Sequence, residues 1–356
     1  MERQLGLEAP GPAPAYFGVD VMINHAAIIG DGAMGTLSAT LLAYNGIDVR
    51  MWSAFDEHAA DMRRERENKR FLPGFPLPEG LLVSTDAKAV TDGADAVIVA
   101  VPSKYLRGVL ERIKGDLPLE AVYVSVVKGI ETESLLRPSE VIAKVVGPRQ
   151  TVVLSGPCLA REVAAELPAT AVVACDDGQA AGKVQRAYGT PWFRVYTGDD
   201  PMGVELGGAL KNVIAIAAGI CHGLELGTNA VAALVTRGLV EMTRLGVAMG
   251  ARAETFSGLA GLGDLVTTCT SALSRNHHVG HEIGRGRPLG EVLAGMGLAE
   301  AEGVQTTWSV AALADRHGIE MPITREVYEV LFKGKPAPDA LADLMSRAPK
   351  AEGAVR

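Results

Sequence analysis

The sequence has little cysteine and no excess of positive charge, and each shortage excludes a class of protein. Its 356 residues include four cysteines, at positions 158, 175, 221 and 269, without CxxC spacing. Such scattered cysteines are typical of a reducing compartment and argue against a disulfide framework. The formal net charge of -8 argues against a general nucleic-acid binder, because phosphate contacts require a basic surface. We therefore expect a cytoplasmic protein without a nucleic-acid partner.

Long hydrophobic runs and targeting signals are also lacking. The uninterrupted apolar stretch after Asn212 is far shorter than the roughly 20 residues that a membrane-spanning helix needs. Residues 1–20 contain proline and glycine but no basic start followed by an apolar core, so we expect a flexible extension and not a signal peptide. Residues 347–356 are expected to form a loose tail. The length of the chain favours two domains.

The first motif along the chain is a glycine loop. An apolar run at 21–29 leads into Gly30-Asp-Gly-Ala-Met-Gly35, and leucines at helical spacing follow. Strand, glycine turn and helix in this order are the fingerprint of a dinucleotide site. Gly30 makes the tight turn, Gly32 lets a pyrophosphate approach the backbone, and Gly35 packs the helix on the strand. The alternative is a glycine-rich turn without a ligand, but the strand and helix on either side favour NAD or NADP.

The end of the second predicted strand, at 47–52, is where such sites usually show their cofactor preference. An acid there binds the ribose hydroxyl, or a basic group takes the 2′-phosphate. Ser53 and Ala54 occupy those places, while Arg50 lies inside the strand. The choice between NAD and NADP is therefore open. We expect weak discrimination, with kcat/KM values for NADH and NADPH within about a hundredfold of each other.

Strand and helix patterns alternate through the first half of the chain. Further strands are predicted at 81–85, 96–102, 121–129, 151–158, 170–175 and 193–198. Apolar strands separated by helices indicate a mainly parallel sheet that is covered on both faces. Ligands of such sheets bind outside the carboxyl ends of the strands, where Pro102, Lys128 and Gly156 stand. The predicted fold class is α/β, with a Rossmann-like, mainly parallel sheet domain at 21–200 followed by an all-helical domain at 201–346.

The segment at 201–220 is the hinge between the two halves. Its three glycines between 203 and 208 leave one helix surface almost without side chains, so another backbone or a flat ligand could approach closely. Lys211 stands in this apolar setting, and desolvation lowers the pKa of an ammonium group enough for proton exchange near neutral pH. An isolated lysine usually reaches water instead. Because Asn212 and Glu205 add polar groups to the same helix, we treat Lys211 as a site residue.

The second half is predicted to be helical. A long amphipathic helix is expected to begin at Asn229, and a later glycine-rich bend presents Asp264. Residues 274–276 follow at a predicted helix start, where backbone donors and a guanidinium group form a phosphate site. The histidines of HHVGH, at 277–281, invite a metal interpretation. We reject that interpretation because a third and a fourth ligand are lacking nearby.

Together these motifs resemble the NAD(P)-dependent glycerol-3-phosphate dehydrogenases over about residues 22–345. The resemblance rests on several motifs in the family's order, namely GDGAMGT, NKRFLPG, VPS, VKGIE, SGPCLAREV, VELGGALKNVIAIAAGI, GLGDLVTTCTSALSRN, AEGVQTT and MPIT. It implies an oxidoreductase that interconverts sn-glycerol 3-phosphate and dihydroxyacetone phosphate and supplies glycerol 3-phosphate for phospholipid synthesis. It also implies a homodimer.

The resemblance also implies roles for individual residues. Lys211 would be the catalytic acid/base, while Lys128, Asp264 and Asn212 would arrange the reacting hydroxyl or carbonyl. The implied substrate-binding residues are Lys128, Gly156, Cys158, Lys211, Asp264, Ser274, Arg275 and Asn276. The implied cofactor-binding residues are Gly30, Gly32, Ala33, Met34, Gly35, Pro102, Lys128, Ala160, Arg275 and Glu302.

The chain departs from the family pattern at a few of these places. Ala33 and Met34 stand where a serine and an aromatic residue are common, Val127 stands where a threonine is common, and Cys158 replaces a usual serine or threonine. Each departure removes a hydroxyl or a stacking group near the cofactor or the substrate. Affinity and substrate choice are therefore open to change.

Two other functions remain open at this point. One is a dehydrogenase of the same architecture that acts on a small 3-hydroxy acid, in which Arg275 would bind a carboxylate. The other is a dinucleotide sensor without chemistry, suggested by the altered loop residues. The presence of Lys128, Lys211 and Asp264 weighs against the sensor.

Overall fold

The computed structural model describes residues 22–296, 301–349 and 351–352. The extension predicted at 1–20 lies outside the described residues, as does part of the tail predicted at 347–356. All the named strands lie between residues 25 and 198, and only helices follow from residue 201 within the described part of the chain. The predicted fold class is therefore confirmed.

The strands form one sheet of eight, in the order β3-β2-β1-β4-β5-β6-β7-β8. Neighbouring strands are parallel, except that β6 and β7 are antiparallel. Every predicted strand is present, although most are shorter than predicted because their glycine-, proline- and lysine-containing ends belong to loops. The strands are β1 (His25–Ile29), β2 (Asp48–Trp52), β3 (Leu82–Ser84), β4 (Ala96–Val99), β5 (Val122–Ser125), β6 (Thr151–Ser155), β7 (Ala169–Ala174) and β8 (Phe193–Gly198).

Helices cover both faces of this sheet, because its strands are apolar on both sides. Separate clusters of buried apolar side chains lie under the two helical layers. Gly46 follows the first helix with φ +78°, a left-handed conformation that glycine adopts readily just after a helix. The helices are α1 (Ala33–Tyr44), α2 (Asp56–Glu65), α3 (Ala87–Thr91), α4 (Ser103–Ile113), α5 (Pro138–Val146), α6 (Ala160–Ala164) and α7 (Gly178–Tyr188).

The second half consists of helices around their own apolar core. One correction concerns α9, which begins at Gly227 and not at Asn229. The chain turns sharply after α8 through Glu225 and Gly227, both with positive φ, so the next helix starts directly after this turn. The elements are α8 (Pro201–Gly223), α9 (Gly227–Ala248), α10 (Ala253–Phe256), a π-helical turn (Leu259–Gly263), α11 (Asp264–Thr270), α12 (Arg275–Gly284), α13 (Leu289–Gly295), α14 (Glu302–His317), α15 (Pro322–Lys333) and α16 (Ala337–Met345).

Helix α8 is the centre of the second half. It is long and apolar enough to cross a membrane by length and composition, but 94% of its apolar window is buried inside the protein. Helices α9, α11, α12 and α14 surround it. It is therefore a core helix in this structure.

Glu205 lies on α8 together with Lys211, but its carboxylate belongs to a different contact. Six residues at 100° per residue place the two side chains about 120° apart around the helix axis. The Glu205 carboxylate instead accepts hydrogen bonds from the backbone N–H (2.8 Å) and the hydroxyl (2.7 Å) of Ser139 and from Arg137 Nη1 (2.6 Å). Glu205 thus attaches α8 to the first turn of α5.

Glycines let other backbone segments approach α8 closely, as the sequence predicts. A Cβ atom built on Gly207 would lie 2.5 Å from the carbonyl oxygen of Ala260 in the π-helical turn. Where α8 and α12 cross, a Cβ atom on Gly280 would collide with the carbonyl oxygen of Ile216. The glycine-lined surface therefore receives backbone rather than a flat ligand at these two places.

This crossing predicts that Gly280→Ala destabilises the protein by about 1–3 kcal/mol, since the added methyl group has no space. The matched control is Gly290→Ala on α13, where a Cβ atom meets nothing within 4 Å. Alanine there should stabilise by about 0.4–1 kcal/mol, because it restricts the unfolded chain. Urea unfolding of both variants measures the difference, and equal effects would contradict the close crossing.

Candidate active site

Four neighbouring strands bring candidate residues to one edge of the sheet. In the sheet, β1, β4, β5 and β6 are adjacent and parallel. The chain passes from the carboxyl ends of these strands into Gly30, Pro102, Lys128 and Gly156 respectively. The carboxyl edge of such a sheet is where ligands bind.

The glycine loop after β1 fits a dinucleotide pyrophosphate. Gly30 has φ +111°, and a Cβ atom there would lie 2.7 Å from the carbonyl oxygen of Ala100 on the neighbouring strand end. Gly32 precedes α1 and no side chain caps this helix, while the space around a Cβ atom on Gly32 is open to 4 Å. The first backbone N–H groups of α1, at Ala33 and Met34, are thus left for an anion.

The two halves of the chain meet beside this loop. The backbone N–H of Ser103, next to Pro102, donates to Glu302 Oε1 at 3.0 Å. Ser103 begins α4 and Glu302 begins α14, so the bond joins the helical half to the sheet. Two residues predicted to bind the cofactor, Pro102 and Glu302, therefore lie side by side, while Ala160 begins α6.

The centre of the site is one carboxylate that two lysines share. Lys128 Nζ donates to Asp264 Oδ2 at 2.7 Å, and Lys211 Nζ donates to Asp264 Oδ1. Asp264 is 2% exposed and Lys211 is 5% exposed. Lys128 Nζ also donates to the carbonyl oxygen of Gly156 at 3.2 Å. The cluster combines two positive groups with one negative group, which suits an anionic or oxyanionic ligand.

Thr268 belongs to this cluster but does not stand out in the sequence. Its hydroxyl accepts a hydrogen bond from Lys211 Nζ at 2.7 Å and donates to the carbonyl oxygen of Asp264 at 2.6 Å. Thr268 lies four residues after Asp264 on α11, so both side chains share one helix face. That spacing within DLVTT is the signal that could have identified it.

The two lysines differ in their affinity for a proton. Burial lowers the pKa of Lys211 to about 8, with the Lys128 charge adding to the decrease and Asp264 opposing it. Burial also acts to lower the pKa of Lys128, but the Asp264 carboxylate outweighs it and the pKa is raised. The two ammonium groups lower the pKa of Asp264 against the effect of its burial. Of the two lysines, Lys211 is therefore the one whose pKa lies closer to neutral pH.

Two further predicted residues hold Lys128 in place. The Cys158 thiol donates to the carbonyl oxygen of Gly156 at 3.2 Å and lies 4.0 Å from Lys128 Nζ. Burial raises the pKa of this thiol, so it stays protonated. Asn212 Nδ2 donates to the backbone oxygen of Lys128 at 3.2 Å, which fixes the position of the strand end.

Helix α12 begins at the residues predicted for it. Ser274 caps the helix by accepting a hydrogen bond from the His277 N–H at 3.2 Å. Arg275 is exposed and forms no hydrogen bond or ion pair with the described residues, whereas Asn276 is buried and accepts from the Gly303 N–H at 2.9 Å. An unpaired guanidinium group at a helix N-terminus is available to an anion.

The histidines after Arg275 form a different contact. His277 Nε2 lies 2.6 Å from His222 Nδ1 at the end of α8. Burial lowers the pKa of His277. Within the described residues, no three His, Cys, Asp or Glu side chains come together in a way that could hold a metal ion.

Comparisons with known proteins give the same family for both halves. The profile described as the N-terminus of NAD-dependent glycerol-3-phosphate dehydrogenase matches residues 25–181, and the C-terminal profile matches residues 200–342. A Geobacter sp. (strain M21) protein named glycerol-3-phosphate dehydrogenase (NAD(P)+) is 50% identical over 335 residues, which are 93% of this chain and all of that protein.

Two further relatives agree with this match. A Streptomyces avermitilis protein of the same name is 49% identical over 92% of this chain and 98% of its own length. The crystal structure of glycerol-3-phosphate dehydrogenase from Coxiella burnetii is 41% identical, with a TM-score of 0.87 over 91% of this chain and 99% of that chain.

The shared carboxylate predicts the effect of Asp264→Asn on stability. Removing one member of a buried ion pair costs about 3–5 kcal/mol, so the free energy of unfolding should fall by about this amount at pH 6. Without the carboxylate, burial lowers the pKa of both lysines below the value in the unfolded chain. The unfolded chain then binds more protons, so the loss should shrink as the pH rises to 9.

Urea unfolding at pH 6 and pH 9 measures this loss. The matched control is Asp199→Asn, because Asp199 is in an exposed ion pair with Arg252 and such pairs contribute about 0–1 kcal/mol. An equal loss in the two variants, or a loss from Asp264→Asn that is the same at both pH values, would contradict the arrangement.

Proposed function

The chain belongs to the NAD-dependent glycerol-3-phosphate dehydrogenase family, and we propose that Lys211 is its acid/base. The chain is an NAD(P)-dependent oxidoreductase that interconverts sn-glycerol 3-phosphate and dihydroxyacetone phosphate. The observation that carries the proposal is a buried lysine that donates hydrogen bonds to Asp264 and Thr268, and burial lowers its pKa to about 8. Reduction of dihydroxyacetone phosphate yields glycerol 3-phosphate, the precursor that phospholipid synthesis consumes.

The cofactor would lie along the carboxyl edge of the sheet. Its pyrophosphate would bind the N-terminus of α1 through the backbone of the glycine loop, and Pro102 and Glu302 would lie beside it. The nicotinamide of the bound cofactor supplies or accepts the hydride. Direct transfer requires that water be excluded from this place, and the bond from Ser103 to Glu302 would hold the two halves of the chain together beside it.

Lys211 would exchange the proton that accompanies the hydride. In ketone reduction its ammonium group donates to the developing alkoxide, and in alcohol oxidation its neutral amine accepts the hydroxyl proton. Lys128 keeps its charge, because Asp264 raises its pKa, so it would stabilise the oxyanion electrostatically. Asp264 and Thr268 hold the Lys211 amine by hydrogen bonds.

The substrate phosphate would bind at the N-terminus of α12. Arg275 offers an exposed guanidinium group, and Asn276 Nδ2 forms no hydrogen bond with the described residues. Three residues separate the end of α11 from Ser274, Arg275 and Asn276, and α11 carries Asp264. Both helices pack on α8, so the phosphate site and the proton donor are attached to the same core helix.

This role for Lys211 predicts opposite pH dependences in the two directions. Reduction needs the ammonium form, so its kcat/KM should fall about tenfold per pH unit above about 8. Oxidation needs the neutral amine, so its kcat/KM should rise up to about pH 8 and then level off. Initial rates between pH 7 and 10 measure both, since the phosphate titrates lower, near pH 6. The same profile in both directions would contradict the assignment.

The variant Lys211→Met should lower kcat by about 10²–10⁴, the usual contribution of general acid catalysis. Cofactor binding should remain nearly intact, because the glycine loop is untouched. Lys333→Met, at the exposed end of α15, is the matched control and should keep its activity. Near-normal turnover of Lys211→Met would remove Lys211 from the reaction.

The phosphate site predicts that Arg275→Lys raises KM for dihydroxyacetone phosphate. Lysine keeps the charge but loses the planar fork, and a charge-assisted hydrogen bond contributes about 1.5–3 kcal/mol. The increase should therefore be about ten- to a hundredfold. Arg285→Lys, at the exposed far end of α12, is the control. An unchanged KM in Arg275→Lys would place the phosphate elsewhere.

Three broader features belong to the same proposal. The resemblance to the family supports a homodimer, which sedimentation velocity would test. The four unpaired cysteines are compatible with a reducing, cytoplasmic location. We also propose the division into a dinucleotide-binding domain at 21–200 and a substrate and dimerisation domain at 201–346, supported by the change from strands to helices there.

A further inference from the structure

A carboxylate lies at the carboxyl end of β2, although no acidic residue follows that strand directly in the sequence. It comes from Asp31, the residue between the first two glycines of the loop after β1. The Ser53 hydroxyl, directly after β2, donates a hydrogen bond to Asp31 Oδ2. In dinucleotide-binding sheets this strand end lies beside the adenosine ribose. An acid thus reaches the ribose position from the neighbouring loop.

The position of this carboxylate is fixed on several sides. Ser53 is fully buried, and its oxygen accepts the N–H of Phe55 at 3.3 Å, while the carbonyl oxygen of Phe55 at 3.2 Å is a second acceptor within reach of its hydroxyl. Asn68 Nδ2 donates to the backbone oxygen of Asp31 and to Thr36 Oγ1, both at 2.7 Å. The loop and the side chain of Asp31 are therefore held in place before any ligand binds.

A buried nitrogen without a hydrogen bond faces the same carboxylate. His58 is 7% exposed, and its Nε2 has no hydrogen-bond partner among the described residues. This nitrogen lies 3.7 Å from Asp31 Oδ2, which is too far for a direct hydrogen bond. Buried polar atoms are usually satisfied, so an unsatisfied one beside a carboxylate indicates a place for a polar group of a ligand.

Three arginines near β2 are engaged elsewhere. Arg50 pairs with Asp48. It also donates to the backbone oxygen of Ala89, in α3, and to that of Asp92, directly after α3. Arg63 Nη1 donates to the backbone oxygen of Val83 at 2.8 Å, and the guanidinium group of Arg112 lies 4.8 Å from the ring centre of Trp52. A 2′-phosphate needs positive partners to replace its water, and these three are already occupied.

We propose that Asp31, oriented by Ser53, accepts a hydrogen bond from the ribose 2′-hydroxyl of the cofactor and makes this chain prefer NAD over NADP. The proposal rests on the use of the glycine loop as the dinucleotide site. A bare ribose supplies a hydroxyl proton to the carboxylate, whereas a 2′-phosphate meets a fixed negative charge. The proposal replaces the expectation of weak discrimination between NAD and NADP, which considered Ser53 and Ala54 but not Asp31 in the neighbouring loop.

Calorimetric titration of the full chain with ADP-ribose and with 2′-phospho-ADP-ribose tests the proposal without turnover. The intact protein should bind ADP-ribose at least about a hundredfold more tightly, because two like charges about 5 Å apart repel strongly at the effective dielectric of a protein. Asp31→Asn keeps the shape and removes the charge. It should reduce this preference at least tenfold, mainly by tighter binding of the 2′-phosphorylated fragment.

Two further variants complete the test. Asp48→Asn makes the same charge change at the other end of β2, where Asp48 is exposed; Arg50 keeps its hydrogen bonds to two backbone oxygens, so this variant should leave the preference unchanged. Ser53→Ala frees the Asp31 side chain and should reduce the preference several-fold; thermal unfolding shows that each variant is folded. If Asp31→Asn cannot fold, Ser53→Ala decides the question.

Several results would overturn the inference. One is an intact chain that binds both fragments equally, and another is an unchanged preference in Asp31→Asn and Ser53→Ala. An equal shift in Asp48→Asn would show a general charge effect in place of a contact. If neither fragment nor NADH binds, the dinucleotide site itself is wrong. If both fragments bind but Asp31→Asn and Ser53→Ala keep the preference of the intact chain, only the role of Asp31 is contradicted.

Discussion

The site depends on one buried carboxylate between two lysines. Asp264 is delivered by α11, Lys211 by α8 and Lys128 by the end of β5, so three separate elements must meet for the charges to be compensated. A buried carboxylate without partners would lose several kcal/mol of hydration free energy. The ion pairs therefore join the helical half to the sheet in a defined position, and the same contacts give the two lysines different proton affinities.

Helix α8 supports this arrangement because it contacts both halves. On one side Glu205 binds the first turn of α5, and on the other side Lys211 enters the site. Gly208 lies where a Cβ atom would be 2.6 Å from Ser155 Oγ, so α8 runs close against the end of β6. A shift of α8 along its axis would break the hydrogen bonds of Glu205 and would move Lys211 at the same time. Lys211 thus lies on a core helix that is attached at two places, which favours a fixed geometry.

The sequence was sufficient for features that depend on local patterns. All eight strands, the glycine loop and the helix start at Ser274 follow from hydrophobic runs, glycine spacing and capping residues, which act within a few positions along the chain. Features that depend on contacts between distant segments could not be predicted. The partners of Glu205 are 66 and 68 residues away, and Ser53 is 22 residues from Asp31. Sequence spacing does not report such pairs, so the sequence suggested no acid at the end of β2.

The charge distribution explains how an acidic protein can bind an acidic substrate. The chain has 42 acidic and 34 basic residues, which alone would repel a phosphate ester. Exposed charges farther apart than about 8 Å are largely screened at physiological salt, so the distant surface acids have little effect at the site. Within that distance the proposed site offers two lysines with one carboxylate, and the proposed phosphate site offers the exposed guanidinium group of Arg275, which forms no ion pair with the described residues. The local excess of positive charge is preserved because Asp264 carries one negative charge against the two lysines, and burial brings the pKa of Lys211 down to about 8.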